Sequence, residues 1–229
     1  MSAPRSGSTL LRSIMNAHPD IRAPHELHLG QIQVEMEDDF ARNSIEALGL
    51  TADELRYLLW DRLLHWELAR SGKQIIVEKT PGNLHHWEQL RECWPDARYI
   101  FLLRHPLHIY ESLINNHPEF DPAILLLRLF YDVEPMREAR ENLTGITVRY
   151  EELTTDPSGV VEDICHHLEV PWDPNMLDYA SSDQAYPPGV GDWGEKINSG
   201  RIHQARPAPR PEEIPDRLRP WCREWGYLV

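Results

Sequence analysis

Apolar positions along the chain switch between two periods, and the switches mark out its elements. Leu10, Leu11, Ile14 and Met15 recur at the spacing of one helix face, and His18-Pro19 closes that helix. A second helical pattern covers 51–69, with Thr51 as N-cap and Glu54 three residues on, the signature of a capping box. Three short runs are apolar almost throughout: Ile75-Ile76-Val77, Tyr99-Ile100-Phe101-Leu102-Leu103 and Ile146-Thr147-Val148-Arg149-Tyr150. Runs of this kind between helical stretches predict strands of a parallel sheet covered on both faces. Helices are predicted over 84–93, 106–115, 123–142 and 160–168, and a closing one over 217–225. From 171 to 211 the periodicity gives way to Pro, Gly, Asp and Trp, which predicts a long loop or lid over the active site. No internal repeat or linker interrupts the pattern. The expectation is one α/β domain spanning 1–229, with a parallel sheet flanked by helices.

Composition narrows the partners. The 229 residues carry a formal net charge of −14, which argues against nucleic acid or an anionic membrane surface as a general partner. An anionic ligand must then find a local cluster of cations. Those cations are almost all arginine, since Lys73, Lys79 and Lys196 are the only lysines among 23 basic residues. Cys93, Cys165 and Cys222 lack metal-like spacing and point to a reducing compartment. Without a signal-like segment or an apolar run of about 18 residues, the chain is expected to be cytoplasmic.

In open α/β sheets, ligands sit beyond the carboxyl ends of the strands. Those ends carry Arg5, Lys79 and Arg104, and Gly7 lets the backbone approach an anion at the start of the first helix. The pattern predicts a polyanion site. A P-loop kinase is disfavoured, because the loop has no G-x-x-x-x-G-K-[ST] lysine and no obvious metal-binding aspartate follows a strand. His25-Glu26-Leu27-His28 has the wrong spacing for a zinc protease helix, so no metal is expected. The other ten of the twelve histidines, among them His85-His86 and His166-His167, are expected at the solvated surface.

Pro4-Arg5-Ser6-Gly7-Ser8-Thr9-Leu10-Leu11 resembles the phosphosulfate-binding loop of sulfotransferases that use 3′-phosphoadenosine-5′-phosphosulfate (PAPS). Arg104 and Ser112 in RHPLHIYES match the pair that holds the cofactor's 3′-phosphate in that family, and Glu78-Lys79-Thr80-Pro81 looks like its lysine segment. His18-Pro19-Asp20 followed by Pro24-His25-Glu26-Leu27-His28 is similar to the segment that carries a base glutamate in carbohydrate, tyrosyl-protein and bacterial polyketide sulfotransferases. The resemblance implies a P-loop-like sulfotransferase fold. It assigns Arg5, Ser6, Gly7, Ser8, Thr9, Arg104 and Ser112 to PAPS or its product 3′,5′-ADP. It makes Glu26 the general base, Lys79 and Arg5 the charge stabilisers, and His28 an orienting group or second base. KINSGR, with Lys196 and Arg201, lies where the family returns a basic loop over the 3′-phosphate. Trp172, Tyr179, Tyr186 and Trp193 could line an acceptor pocket or simply pack.

The implied acceptor is a small-molecule or acyl-carrier-bound alcohol of natural-product assembly. A sugar or glycolipid hydroxyl, or a module that holds 3′,5′-ADP without turnover, are the alternatives. One departure stands out: Met1-Ser2-Ala3 alone precedes the loop where the family has a full apolar strand. Either the chain as given starts late or that central strand is vestigial.

Overall fold

In the computed structural model, which describes residues 1–181 and 195–229, short strands alternate with longer helices. The elements run α1 (Ser8–Ala17), β1 (Ile21–Arg22), α2 (Asp39–Glu46), α3 (Ala52–Ser71), β2 (Ile75–Ile76), α4 (Trp87–Cys93) and β3 (Tyr99–Leu103). There follow α5 (Pro106–Asn116), α6 (Pro122–Asn142), β4 (Gly145–Arg149), α7 (Tyr150–Thr155), α8 (Pro157–Leu168), α9 (Glu195–Asn198) and α10 (Arg219–Glu224). Single 3-10 turns occur between them, notably Leu29–Gln31 and Pro81–His86.

The strands are parallel, as predicted, but they form two pairs rather than one ladder. Ile21 and Arg22 lie opposite Ile75 and Ile76, while β3 and β4 pair over five residues from Tyr99–Gly145 to Leu103–Arg149. Pro24 limits β1, because a residue without an N–H cannot extend a ladder. A cavity of about 730 Å³ lies between the pairs, with Ile75 and Ile76 on one wall and Tyr99 and Ile100 on the other. The segment before Pro4 reaches the β3 side of it: Ser2 bridges to Leu102, and Leu102 N–H donates to the Met1 carbonyl at 2.9 Å. The Met1 nitrogen lies 2.7 Å from the Ile100 carbonyl. One bridge therefore registers the loop on β3.

Both faces of β3 are covered. Phe101 and Leu103 pack among α5, α6 and α10, while Leu102 packs with α1 and α8. This is the environment the uninterrupted apolar run predicts. A third cluster joins Trp60 and Leu64 of α3 to Leu29 and Leu90.

Several boundaries differ from the expected ones for identifiable reasons. The predicted 84–93 helix starts as a 3-10 turn and becomes α-helical only at Trp87. Tyr150 leaves the strand and begins α7. Asp156 then accepts from Gly159 N–H, and Pro157 occupies the first turn, which starts α8 earlier than its apolar face indicated. α2 was not expected, because it spans only eight residues and none of them is buried. Thr51 and Glu54 do form the capping box of α3.

The expectation of surface histidines is corrected at His18, His105 and His108, which are all buried. Each sits where a backbone group or an acid needs a partner: His18 Nε2 bonds the Pro171 carbonyl at 2.9 Å, and His105 Nδ1 accepts from Leu107 N–H at 3.2 Å to cap α5. Lys73 likewise has structural work. Its ammonium donates to the carbonyls of Asn16, His18 and Ile21, each at 2.8 Å, and so closes the C-terminal end of α1. Charge-assisted bonds of this kind give a prediction: Lys73→Met should lower stability by about 2 kcal/mol, read as a fall in the urea midpoint. An unchanged midpoint would mean that water caps α1 equally well.

Candidate active site

The loop before α1 is shaped by two left-handed residues. Arg5 has φ 65° and Gly7 has φ 91°. A Cβ on Gly7 would lie 2.3 Å from the Tyr150 ring, so position 7 excludes a side chain on steric as well as conformational grounds. The loop delivers the chain into α1 with no side-chain cap and no acid in the first turn. The uncapped N–H groups of this ten-residue helix favour an anion. Ser6 Oγ is buried here and has no hydrogen-bond partner.

Two further predicted residues join this loop. Arg104, just past β3, donates from Nη1 to the Arg5 carbonyl at 2.8 Å, and its guanidinium lies 4.5 Å from the centre of the Tyr150 ring. Arg5 Nε donates to Ser112 Oγ at 3.2 Å. Ser112 comes from the second turn of α5, which starts immediately after Arg104-His105. Burial lowers the Arg104 pKa, against the opposing pull of Tyr150 and Glu151, and its Nε is buried without a partner. An oxyanion fits such a place. Two orphaned donors, Ser6 Oγ and Arg104 Nε, stand beside an uncapped helix start.

The second part of the site follows β2. Lys79 Nζ contacts Glu26 Oε1, with 14% and 20% of the two side chains exposed. His28 is more open, at 59%, and its Nε2 lies 3.7 Å from Glu26 Oε2. Burial lowers the Lys79 pKa, Glu26 pushes it back up, and the charge of Arg12 adds to the lowering. Arg12 is a buried residue of α1 that donates to the Ala23 carbonyl at 3.1 Å. The helix behind the loop and the lysine segment therefore share one electrostatic environment.

Other predicted positions fall elsewhere. Ser8 is buried at the start of α1, and the Thr9 carbonyl accepts from Ser13 Oγ at 2.9 Å. Arg201 is exposed, with its N–H donating to Ser199 Oγ at 3.3 Å and its carbonyl accepting from Tyr179 at 2.9 Å. Tyr179 is thereby a packing residue, 5% exposed in the α1–α8 core. Trp172 packs partly against the same core. Tyr186 and Trp193 lie outside the described residues, as does the side chain of Lys196.

Sequence reasoning missed Tyr150 and Arg206. Tyr150 follows β4 at the edge where Arg104 follows β3, so the strand-end rule would have found it. Arg206 pairs with Glu111 at 2.7 Å, next in sequence to Ser112, and its charge acts on Arg104. Nothing in the local pattern marks it. Among the described residues no cluster of His, Cys, Asp and Glu is placed to hold a metal, and no helix is long and apolar enough to cross a membrane.

With this geometry in hand, the comparisons decide the family: the Sulfotransferase family profile matches residues 1–174. The chain belongs to the sulfotransferase family. Curated relatives include the protein-tyrosine sulfotransferase of Drosophila melanogaster, 24% identical over 190 residues, which cover 76% of this chain and 38% of the relative. Nodulation protein NoeE of Sinorhizobium fredii is 24% identical over 231 residues, covering 86% of this chain and 55% of the relative. This sulfotransferase-family chain thus spans about two fifths of the first relative and just over half of the second. Two solved structures share its fold with a TM-score of 0.69: the sulfotransferase domain of the curacin biosynthetic pathway and that of the Synechococcus PCC 7002 olefin synthase. They are 19% and 24% identical, and each covers the whole of this chain.

Behind Arg104, the Glu151 carboxylate accepts from His105 N–H at 3.0 Å and from the Tyr227 hydroxyl at 2.7 Å. Burial pushes its pKa up, but His108 and these hydrogen bonds outweigh burial and hold it at about 2. Burial, with His108 beside it, lowers His105 to about 4. Both shifts make the unfolded chain the better proton acceptor. Stability should therefore fall on acidification, first as pH drops from about 6.5 to 4 through His105, then from about 4.5 to 2 through Glu151. Glu151→Gln should remove the second fall, so its urea midpoint converges with that of the parent only below about pH 2. Parallel pH profiles would contradict the assignment.

Proposed function

We propose that this protein transfers a sulfuryl group from PAPS to a hydroxyl of a small-molecule or carrier-bound natural-product acceptor, leaving 3′,5′-ADP. The observation that carries the reading is the meeting of Arg5, Arg104 and Ser112 at the mouth of the loop before α1. That constellation offers a second phosphate site beside the first, which a nucleoside 5′-phosphate alone does not need. PAPS supplies an activated sulfuryl group, and the chain supplies position and charge. The N–H groups at the start of α1, with Ser6 to Thr9 and Arg5, hold the 5′ end. Arg104 and Ser112 hold the 3′-phosphate, and Arg206 adds charge at that place. Lys79 stabilises the oxygen that becomes negative as the bond to sulfur breaks. Glu26 takes the proton of the acceptor hydroxyl, and the exposed His28 helps orient that acceptor.

The natural-product acceptor is supported by the fold shared with domains of the curacin pathway and an olefin synthase. Residues 1–229 act as one domain in this reading. Residues 182–194 of the expected lid lie outside the described residues, and the electrostatic reach of Arg206 to Arg104 supports a covering role for the stretch around position 206 alone. Three cysteines without a disulfide agree with a reducing compartment such as the cytoplasm.

Calorimetry tests the nucleotide assignment. 3′,5′-ADP should bind at least about 100-fold more tightly than adenosine 5′-monophosphate, because the 3′-phosphate accepts charge-assisted bonds. Arg104→Ala should erase that preference. Equal affinity of the parent for both nucleotides would overturn the PAPS reading. For Lys79→Ala, turnover should drop far more than 3′,5′-ADP affinity, since its charge matters most when the leaving oxygen charges up. A raised KM with unchanged kcat would make it a ground-state ligand instead.

A further inference from the structure

We propose that Glu78 is a positioning residue that sets Glu26 against Lys79, an inference that rests on the sulfuryl-transfer reading. Glu26 lies in a stretch, 23–28, that forms neither helix nor strand, so no backbone ladder fixes it. His28, two residues on, adopts φ 52°, a left-handed conformation that a side-chain-bearing residue keeps only when its surroundings hold it there. The holding groups come from the lysine segment. Glu78 Oε1 accepts from Leu27 N–H at 3.4 Å and from the Thr80 hydroxyl at 2.7 Å. Thr80 Oγ1 in turn accepts from His28 N–H at 3.1 Å. Glu78 Oε2 accepts from the Asn83 amide, which anchors the carboxylate from the other side.

The two amides that follow Glu26 are thus tied, one directly and one through Thr80, to the residue that precedes Lys79. Thr80 and Asn83 are 6% and 5% exposed, so water does not readily replace these bonds. Glu78 borders the cavity between the strand pairs, where burial raises its pKa against the hydrogen bonds from Thr80 and Leu27. A carboxylate is suited to the place because it alone offers acceptors in several directions at once.

Three variants separate positioning from charge. Glu78→Leu removes every acceptor. Glu78→Gln keeps one oxygen for Leu27 and Thr80 and turns its amide toward Asn83, whose Oδ1 has no partner at present. Thr80→Val cuts the link to His28 and the Thr80–Glu78 bond, and leaves the bonds of Glu78 to Leu27 and Asn83 in place. In Glu78→Leu, kcat should fall about 10- to 100-fold while 3′,5′-ADP affinity stays within about twofold, the mark of a displaced reacting pair. Amide hydrogen exchange at Leu27 and His28 should accelerate in step. Glu78→Gln should remain within about threefold of the parent in all three readouts, because its hydrogen bonds survive. Thr80→Val should lose exchange protection at His28 and part of kcat, and it carries the test alone if Glu78→Leu does not fold. Unchanged exchange in Glu78→Leu, a Gln variant as impaired as the Leu variant, or a nucleotide affinity that falls with kcat would each overturn the inference. If the parent itself transfers no sulfuryl group, the proposed function fails, and exchange at Leu27 and His28 still decides whether Glu78 holds the loop.

Discussion

Lys79 and Glu26 bring opposite charges into contact where each side chain keeps no more than a fifth of its surface exposed. A lone ammonium or carboxylate in that position would lose most of its hydration without compensation. As a pair, each makes the other tolerable, and removing either leaves a stranded charge. The contact also constrains the backbone. It requires the loop after β1 and the segment after β2 to end at one point, and the parallel pairing of Ile21 with Ile75 and Arg22 with Ile76 brings them there. Two strands of two residues each are enough, because Arg12, Lys73 and the α1 helix tie the same loops from behind.

The same reasoning governs the other half of the site. Arg104 emerges from a strand covered on both faces and cannot reach bulk water freely; its partners are a carbonyl and an aromatic face, and its own Nε donor is left unfilled. Orphaned donors in a buried setting are costly unless something binds them. Here they cluster with Ser6 Oγ and the uncapped start of α1. Stability and ligand choice would then draw on the same groups in the proposed reading, with a polyanion relieving them.

How much of this was legible in the sequence follows from how local each feature is. Arg104 and Ser112 are eight positions apart across a strand end and a helix start, so local geometry brings them to one side and spacing alone flags them. Thr51 and Glu54 are three apart and form the predicted box for the same reason. Arg206 reaches Arg104 only through the tertiary path of the chain, and no pattern around Pro207 announces it. Composition placed His105 and His108 at the surface, whereas the acid that pairs with them, Glu151, lies more than forty residues away. The two strand pairs were read as one sheet because a run such as Ile75-Ile76-Val77 states its burial but not its neighbour. In the case of α2, eight residues with none buried make too short a pattern to read as an element.

The central claim is that the Glu26–Lys79 contact is a working acid–base and charge-stabilising centre and not just a structural ion pair. Single-turnover transfer of labelled sulfuryl from PAPS to an accepted alcohol measures it most directly, comparing the parent with Glu26→Gln. The amide keeps the shape and a hydrogen-bonding oxygen but cannot take the proton. Transfer should slow by about 10²–10⁴-fold while 3′,5′-ADP binds as before, the range that general-base catalysis supplies. A Glu26→Gln protein that transfers at the parental rate while His28→Ala is inactive would contradict the account and move the base to the histidine.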